Sequence, residues 1–241
     1  MGRWLRRGRL AGAAALAAAA ALPVAVLAVV VRSEASGVHR ADVAVVRAAT
    51  RLTGADPELH RGLLLWQDAF QARWVNLAAA ALCVWVWTRR GLRGRVLWAL
   101  ATVLLTWGLG NALKVLVARS RPALEDALTR APGYSFPSGH AMNTAATGVV
   151  VVLLLWPLLG RRGRAAAVGL ATVAVVATAA DRVLLGAHYP SDVVAGIALG
   201  GAMAGASYLG YRGWGDRALP REVPADPATG AEATTAPRAP G

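Results

Sequence analysis

VLWALATVLLTWGLGNALK, residues 96–114, begins after Arg95 and meets no further charge until Lys114. A helix crosses the hydrocarbon of a bilayer with about 20 apolar residues, or roughly 17 at the shortest. This run is long enough to span. Five more uncharged runs flank it, at residues 10–31, 74–88, 141–160, 165–180 and 193–211. Runs 74–88 and 165–180 are short and need residues 70–73 and 183–185 to complete a span. One such run would suit the core of a soluble protein. Six of them in 241 residues, 56% hydrophobic, predict an all-α, polytopic membrane bundle of six transmembrane helices, because a helix satisfies its own backbone in lipid.

The net charge of +13 raises the question of nucleic acid. Its distribution answers against that partner, since the basic residues gather in short clusters beside the apolar runs, as the positive-inside rule requires. Arg3–Arg9, then Arg89, Arg90, Arg93 and Arg95, then Arg161, Arg162 and Arg164 fall on one side if the spans alternate. That side is the cytoplasm, so both termini are expected there and the chain is expected in the cell membrane. Arginines also occur in the outer segment 32–73, beside five acids, so the rule is not clean. The alanine-rich first run resembles a signal peptide, but its length and the lack of a small-x-small cleavage site favour a retained first helix. The single cysteine, Cys83, has no partner for an internal disulfide.

The expected organisation is a basic N-terminus (1–9), a six-helix membrane domain (10–211) and a disordered Pro/Ala/Thr/Gly tail (212–241). Within the outer segment 32–73, residues 41–52 carry apolar side chains at helical spacing, which predicts an amphipathic helix on the outer membrane surface. Asp56-Pro57 reads as an N-cap followed by proline at the first helical position. Trp4, Trp85, Trp87, Trp98, Trp156 and Trp214 fall at inner ends of spans and Trp74 at an outer end, an interfacial belt.

Three segments then emerge on the outer side: KVLVARSRP (114–122), PSGH (137–140) and DRVLLGAHYPSD (181–192). They contain the only lysine and two of the four histidines. Lys114 and Arg121 share a helix face if the helix persists, although Pro122 disfavours helix at Arg121; both also suit a snorkelling role at a boundary. Ser138 is an N-cap candidate and Gly139 permits close backbone approach, so the N–H groups of Ser138, Gly139 and His140 would face an anion at a helix N-terminus. His188 has Asp192 four residues on. That carboxylate suits the orientation of an imidazole base or nucleophile, and equally a helix cap. Arg182 adds a bidentate phosphate ligand.

K-x6-R-P at Lys114, Arg121 and Pro122, P-S-G-H at 137–140 and R-x5-H-x3-D at Arg182, His188 and Asp192 resemble the three-part signature of the phosphatidic acid phosphatase type 2 superfamily, the membrane lipid phosphate phosphatases. The motifs cover residues 114–192 and the six-span plan extends the likeness to residues 10–211. One position departs: the family often has serine before the third-motif arginine, and here it is Asp181, expected to turn from phosphate and pair with a nearby arginine.

The resemblance implies a site at the outer ends of helices three to six. There Lys114, Arg121, Arg182, Ser138 and Gly139 bind phosphate, and His188, oriented by Asp192, attacks phosphorus to form a phosphohistidine. His140 protonates the leaving oxygen and then activates water. The substrate is a lipid phosphate or diphosphate, of undecaprenyl diphosphate or phosphatidic acid type, held among membrane lipids. No metal ligands and no cofactor are expected, since three cations supply the charge. A phosphotransferase using the same site is the near alternative. A small proton- or ion-coupled transporter is the distant one, disfavoured because these residues sit at span ends rather than the midplane.

Overall fold

The computed structural model describes residues 2–32, 37–123, 128–129 and 131–215, with side chains from 7 to 212. The described residues form helices and no strand: α1 (Gly2–Arg32), α2 (Gly37–Ala55), α3 (Pro57–Ala69), α4 (Ala72–Arg90), α5 (Arg93–Val117), α6 (Gly139–Leu155), α7 (Arg161–Leu184) and α8 (Pro190–Gly215), with a 3-10 turn at Trp156–Leu158. The all-α expectation holds. Five of these helices, α1 and α5 to α8, are long and apolar enough to cross a membrane. A sixth span exists only if α3 and α4, bent by 48° at their junction, count as one. The reason is visible in α4, whose apolar stretch lies between Arg73 and the pair Arg89–Arg90. The expected tail lies, beyond residue 215, outside the described residues, as do the side chains of Trp4 and Trp214.

Apolar side chains face outward all round the bundle: Leu104, Leu105, Val115, Leu116 and Leu170 are each more than 60% exposed. In water such a surface would aggregate; in lipid it is the solvated face. Val86, Val96, Ala99, Val150, Leu154 and Ala204 form a core cluster that joins α4, α5, α6 and α8. Trp98 belongs to this core rather than to an interfacial belt. It is 8% exposed and donates from Nε1 to Ser207 Oγ at 3.1 Å. Trp74, Trp85, Trp87 and Trp156 remain at the surface.

Two helices occupy the outer segment, the second starting at Pro57. Asp56 caps α3, its Oδ1 accepting from Glu58 N and Leu59 N at 3.0 Å each, as the Asp-Pro pair predicts. The buried residues of α2 are Asp42, Val46 and Thr53, one face of the helix. That face docks on the protein, not on a bilayer: α2 packs against α7 and α8, and Thr53 Oγ1 donates to Leu184 O at 2.9 Å.

The most extensive packing joins α6 to α8, and small residues make it close. A Cβ at Gly196 would stand 2.7 Å from Ser138 O, and one at Gly200 would overlap Met142 O. This small-xxx-small spacing is a close-packing device of membrane helices, and here it holds the start of α6 against α8. Gly200→Ala is therefore expected to destabilise the protein by about 1–3 kcal/mol through overpacking. Gly108→Ala, where a Cβ meets nothing within 4 Å, should be neutral or slightly stabilising. Thermal unfolding in detergent checks the pair; equal melting temperatures would show that this contact does not hold α6 and α8 together.

Candidate active site

The site is built where α5, α6, α7 and α8 end or begin. α5 stops at Val117, with Ala118 in the left-handed region at φ 49°. Lys114 thus projects from the last turn of α5, while Arg121 comes from the following loop. The two do not share a helix face, because the helix ends earlier than Pro122 alone requires. α6 begins at Gly139 with Ser138 at the N-cap. α7 ends at Leu184, Gly186 turns the chain at φ 69°, and Pro190 opens α8. His188 lies in this turn, its N–H donating to Arg182 O at 3.2 Å.

Asp192 is fully buried and heavily bonded. Its Oδ1 accepts from Arg119 Nη1 at 2.5 Å. Its Oδ2 accepts from Ser135 Oγ at 2.5 Å and from Tyr189 N at 3.0 Å. The His188 ring approaches Oδ2 only to 3.6 Å, beyond a hydrogen bond. The link runs through Ser135, whose Oγ lies 3.3 Å from His188 Nδ1. The direct hydrogen bond expected between Asp192 and His188 is thus corrected to a contact through a serine. Asp192 also closes the first turn of α8 on Tyr189, so one side chain both caps this helix and connects through Ser135 to His188.

The other ring nitrogen faces a cation. Arg121 Nη1 lies 3.2 Å from His188 Nε2. A guanidinium only donates, so Nε2 accepts and the ring proton resides on Nδ1, toward Ser135. His188 is 3% exposed. Burial pushes its pKa down to about 4 and outweighs the upward pull of Asp192, while Arg121 and Lys114 lower it further. The ring is therefore neutral at pH 7, with the Nε2 lone pair accepting from Arg121.

Those cations meet an arc of backbone. Arg121 also donates to Gly133 O at 3.0 Å, Pro132 O at 3.1 Å and Ala187 O at 2.8 Å, and Lys114 Nζ donates to Tyr134 O at 2.9 Å. Lys114, Gly139 and His140 line one cavity of about 150 Å³ with Asn111 and Asn143. His140 Nε2 and Ser138 Oγ are both buried without a partner among the described residues. The Ser138 N–H is not available to an anion, since it donates to Asp192 O at 2.9 Å. This corrects the expected three-donor nest and leaves the N–H groups of Gly139 and His140 at the helix start. Arg182 is buried, with Nε donating to Asp181 Oδ2 at 2.7 Å and Nη2 to the same oxygen. Asp181 does pair with an arginine, but that arginine is the expected phosphate ligand itself.

Three residues escaped the sequence reading: Arg119, Ser135 and Asp42. Arg119 Nη2 donates to Asp42 Oδ2 at 2.7 Å while its Nη1 serves Asp192, and its guanidinium sits 4.1 Å from the Tyr189 ring centroid. Asp42 also accepts from Ser191 N at 3.0 Å and from Ser191 Oγ. A signal for it existed: Asp42 precedes Val46 by four residues, so an acid falls on the apolar face of an amphipathic helix. Ser135 carried no signal beyond its nearness to PSGH.

Residues 95–216 match the PAP2 superfamily. The chain is 40% identical over 91 residues to decaprenylphosphoryl-5-phosphoribose phosphatase of Mycobacterium tuberculosis, covering 36% of this chain and 45% of that protein. It is 32% identical over 117 residues to phosphatidylglycerophosphatase B of Escherichia coli K12, covering 47% and 44%. The chain thus spans less than half the length of either relative. The crystal structure of a transmembrane PAP2 type phosphatidylglycerolphosphate phosphatase from Bacillus subtilis superposes with a TM-score of 0.71 at 24% identity, over 84% of this chain and 97% of that one, a likeness of fold. With the family match running through all three motif segments to the end of α8, the chain belongs to the PAP2 superfamily.

Proposed function

We propose that this membrane protein is a phosphatase that removes phosphate from a lipid phosphate or diphosphate through a phosphohistidine on His188. The observation that carries the reading is the hydrogen bond from Arg121 to His188 Nε2. It leaves the lone pair of a neutral imidazole beside the cations that would hold a phosphoryl group. Phosphate oxygens then take over the bonds that Arg121 and Lys114 make to backbone carbonyls and the bond that Arg121 makes to His188 Nε2, which frees that lone pair, and the N–H groups of Gly139 and His140 add two donors at a helix N-terminus. His188 Nε2 forms the bond to phosphorus as the bond to the leaving oxygen breaks, and His140, protonated in the complex by the negative charge of the bound phosphate, gives that oxygen its proton and becomes neutral. Water then attacks the phosphohistidine, His140 takes the proton, and inorganic phosphate departs with His188 neutral again. Arg182 contributes charge from beside the turn, with Asp181 fixing its orientation.

The reading also takes α3–α4 as one bent span, giving six, with both termini cytoplasmic and the site outside. Basic clusters at Arg89–Arg95 and Arg161–Arg164 support this, as does the bond from Arg9 to Arg212 O at 2.8 Å, which joins the first and last helices at the opposite end from His188. Purified protein should release phosphate from lipid phosphates in excess EDTA and be inhibited by vanadate. Intact cells should act on an added water-soluble short-chain lipid phosphate. Loss in EDTA restored by Mg²⁺ would overturn the metal-independent mechanism; activity seen only after permeabilisation would overturn the orientation.

Arg119 and Asp42 are positioning residues in this scheme, acting through Asp192 and Ser191. Arg119→Lys keeps the charge but cannot bridge two carboxylates. Its kcat is expected to fall on the order of 10²-fold, the cost of a misplaced reacting group, with KM little changed. Asp42→Ala should lower kcat in the same way, and Asp42→Glu should recover part of it. Steady-state kinetics decide this: normal kcat in Asp42→Ala would remove α2 from the mechanism.

A further inference from the structure

Of the three cations assigned to phosphate, two are held by neutral groups. Lys114 donates to the carbonyl of Tyr134, and Arg121 donates to carbonyls and to the His188 ring. Arg182 differs. Its Nε and Nη2 both donate to Asp181 Oδ2, so a carboxylate of the protein holds the guanidinium edge that would otherwise grip a phosphate through two bonds. The two side chains are 2% and 1% exposed. Asp181 Oδ1 is also buried and has no partner among the described residues. The charge of this carboxylate is therefore set against Arg182, in a place where water and salt screen it little.

The pair stands beside the reacting groups. Arg182 O accepts from the N–H groups of Ala187 and His188 at 3.0 and 3.2 Å, and Ala187 O accepts from Arg121 Nη1 at 2.8 Å. The two guanidinium groups sense one another as well: burial first, and then the charge of Arg182, lower the Arg121 pKa against the upward pull of Asp192.

An ion pair has no net charge and adds little to the attraction for an anion. Lys114 and Arg121 are left as the uncompensated cations, facing a phosphate monoester that carries about two negative charges near neutral pH, whereas a diphosphate brings roughly one charge more. The cation placed to meet that extra charge is the one Asp181 already answers.

We propose that Asp181 is a specificity-determining residue: by neutralising Arg182 it fits the site to a lipid monophosphate and disfavours a lipid diphosphate. The assignment rests on the reading of the site as a lipid phosphatase and deepens it. Asp181 touches no substrate in this scheme and acts through the charge of its neighbour.

The test measures initial phosphate release by the purified protein from farnesyl phosphate and farnesyl diphosphate, and from a diacylglycerol phosphate and diacylglycerol diphosphate. Within each pair only the number of phosphates changes. Wild-type KM should be lower for the monophosphate. Asp181→Asn keeps the side-chain shape and an acceptor for Arg182 but removes the charge. In that variant the diphosphate-to-monophosphate ratio of kcat/KM should rise about tenfold, the effect of one unit charge roughly 10 Å away at an effective dielectric of about 20. A merely structural role would lower both rates together and leave the ratio unmoved. Should Asp181→Asn not accumulate, Asp181→Ser takes its place with the same expectation. A wild-type KM no lower for the monophosphate in either pair turned over, or a ratio that stays or falls in the variant, would overturn the proposal. No release from any of the four lipids would instead sink the phosphatase reading, and this inference with it.

Discussion

Asp192 holds a carboxylate at zero exposure beneath the site, and a buried charge is tolerated only when paired and hydrogen-bonded. Arg119 supplies the pairing, Ser135 and the Tyr189 N–H the remaining bonds. Arg119 is itself buried and needs a second acid, which Asp42 provides from α2. Satisfying one charge therefore ties together the outer helix α2, the loop after α5 and the first turn of α8. Breaking such a pair from one side costs about 3–5 kcal/mol. The network thus sets both the stability of this end of the bundle and the position of His188.

The membrane part supplies a rigid platform for that network. α6 and α8 approach closely at Gly196 and Gly200, and Ser138 N donates to Asp192 O across the same contact. The helix that presents His140 and the helix that holds Asp192 thus share backbone as well as packing. The loop residues between, at 132–134, lend carbonyls to Arg121 and Lys114, so both side chains are held in place beside His188, as the proposed phosphoryl transfer requires. Preorganisation of this kind keeps the cost of rearranging cations at the moment of reaction low.

The apolar runs made the helical membrane architecture legible, because lipid imposes a length and an absence of charge that few other settings require. The three motif segments were legible too, through their order and spacing together, since each residue taken alone also suits a snorkelling or capping role at a span end. What stayed hidden depended on distance in the chain. Nothing near residue 42 announces Arg119, and nothing in PSGH says that the Ser138 N–H is already engaged. The early end of α5 at Val117, which separates Lys114 from Arg121, comes from the chain turning at Ala118 to place residues 132–135. Tertiary demand overrode the local expectation there, and again in α2, whose anchoring face proved to serve the protein.

The account stands most directly on the chemistry of His188. Purified protein mixed rapidly with a ³²P-labelled lipid phosphate, quenched in alkali and mapped by peptide mass, should carry phosphate on His188 within the first turnover. The phosphoenzyme should be stable to base and labile to acid, as a phosphoramidate is. Because neutral His188 is required and its pKa is held at about 4 by burial, the acid limb set by this residue should lie well below its ordinary 6.5. Phosphate found on another residue, or turnover persisting in His188→Ala at near the normal rate, would contradict the account.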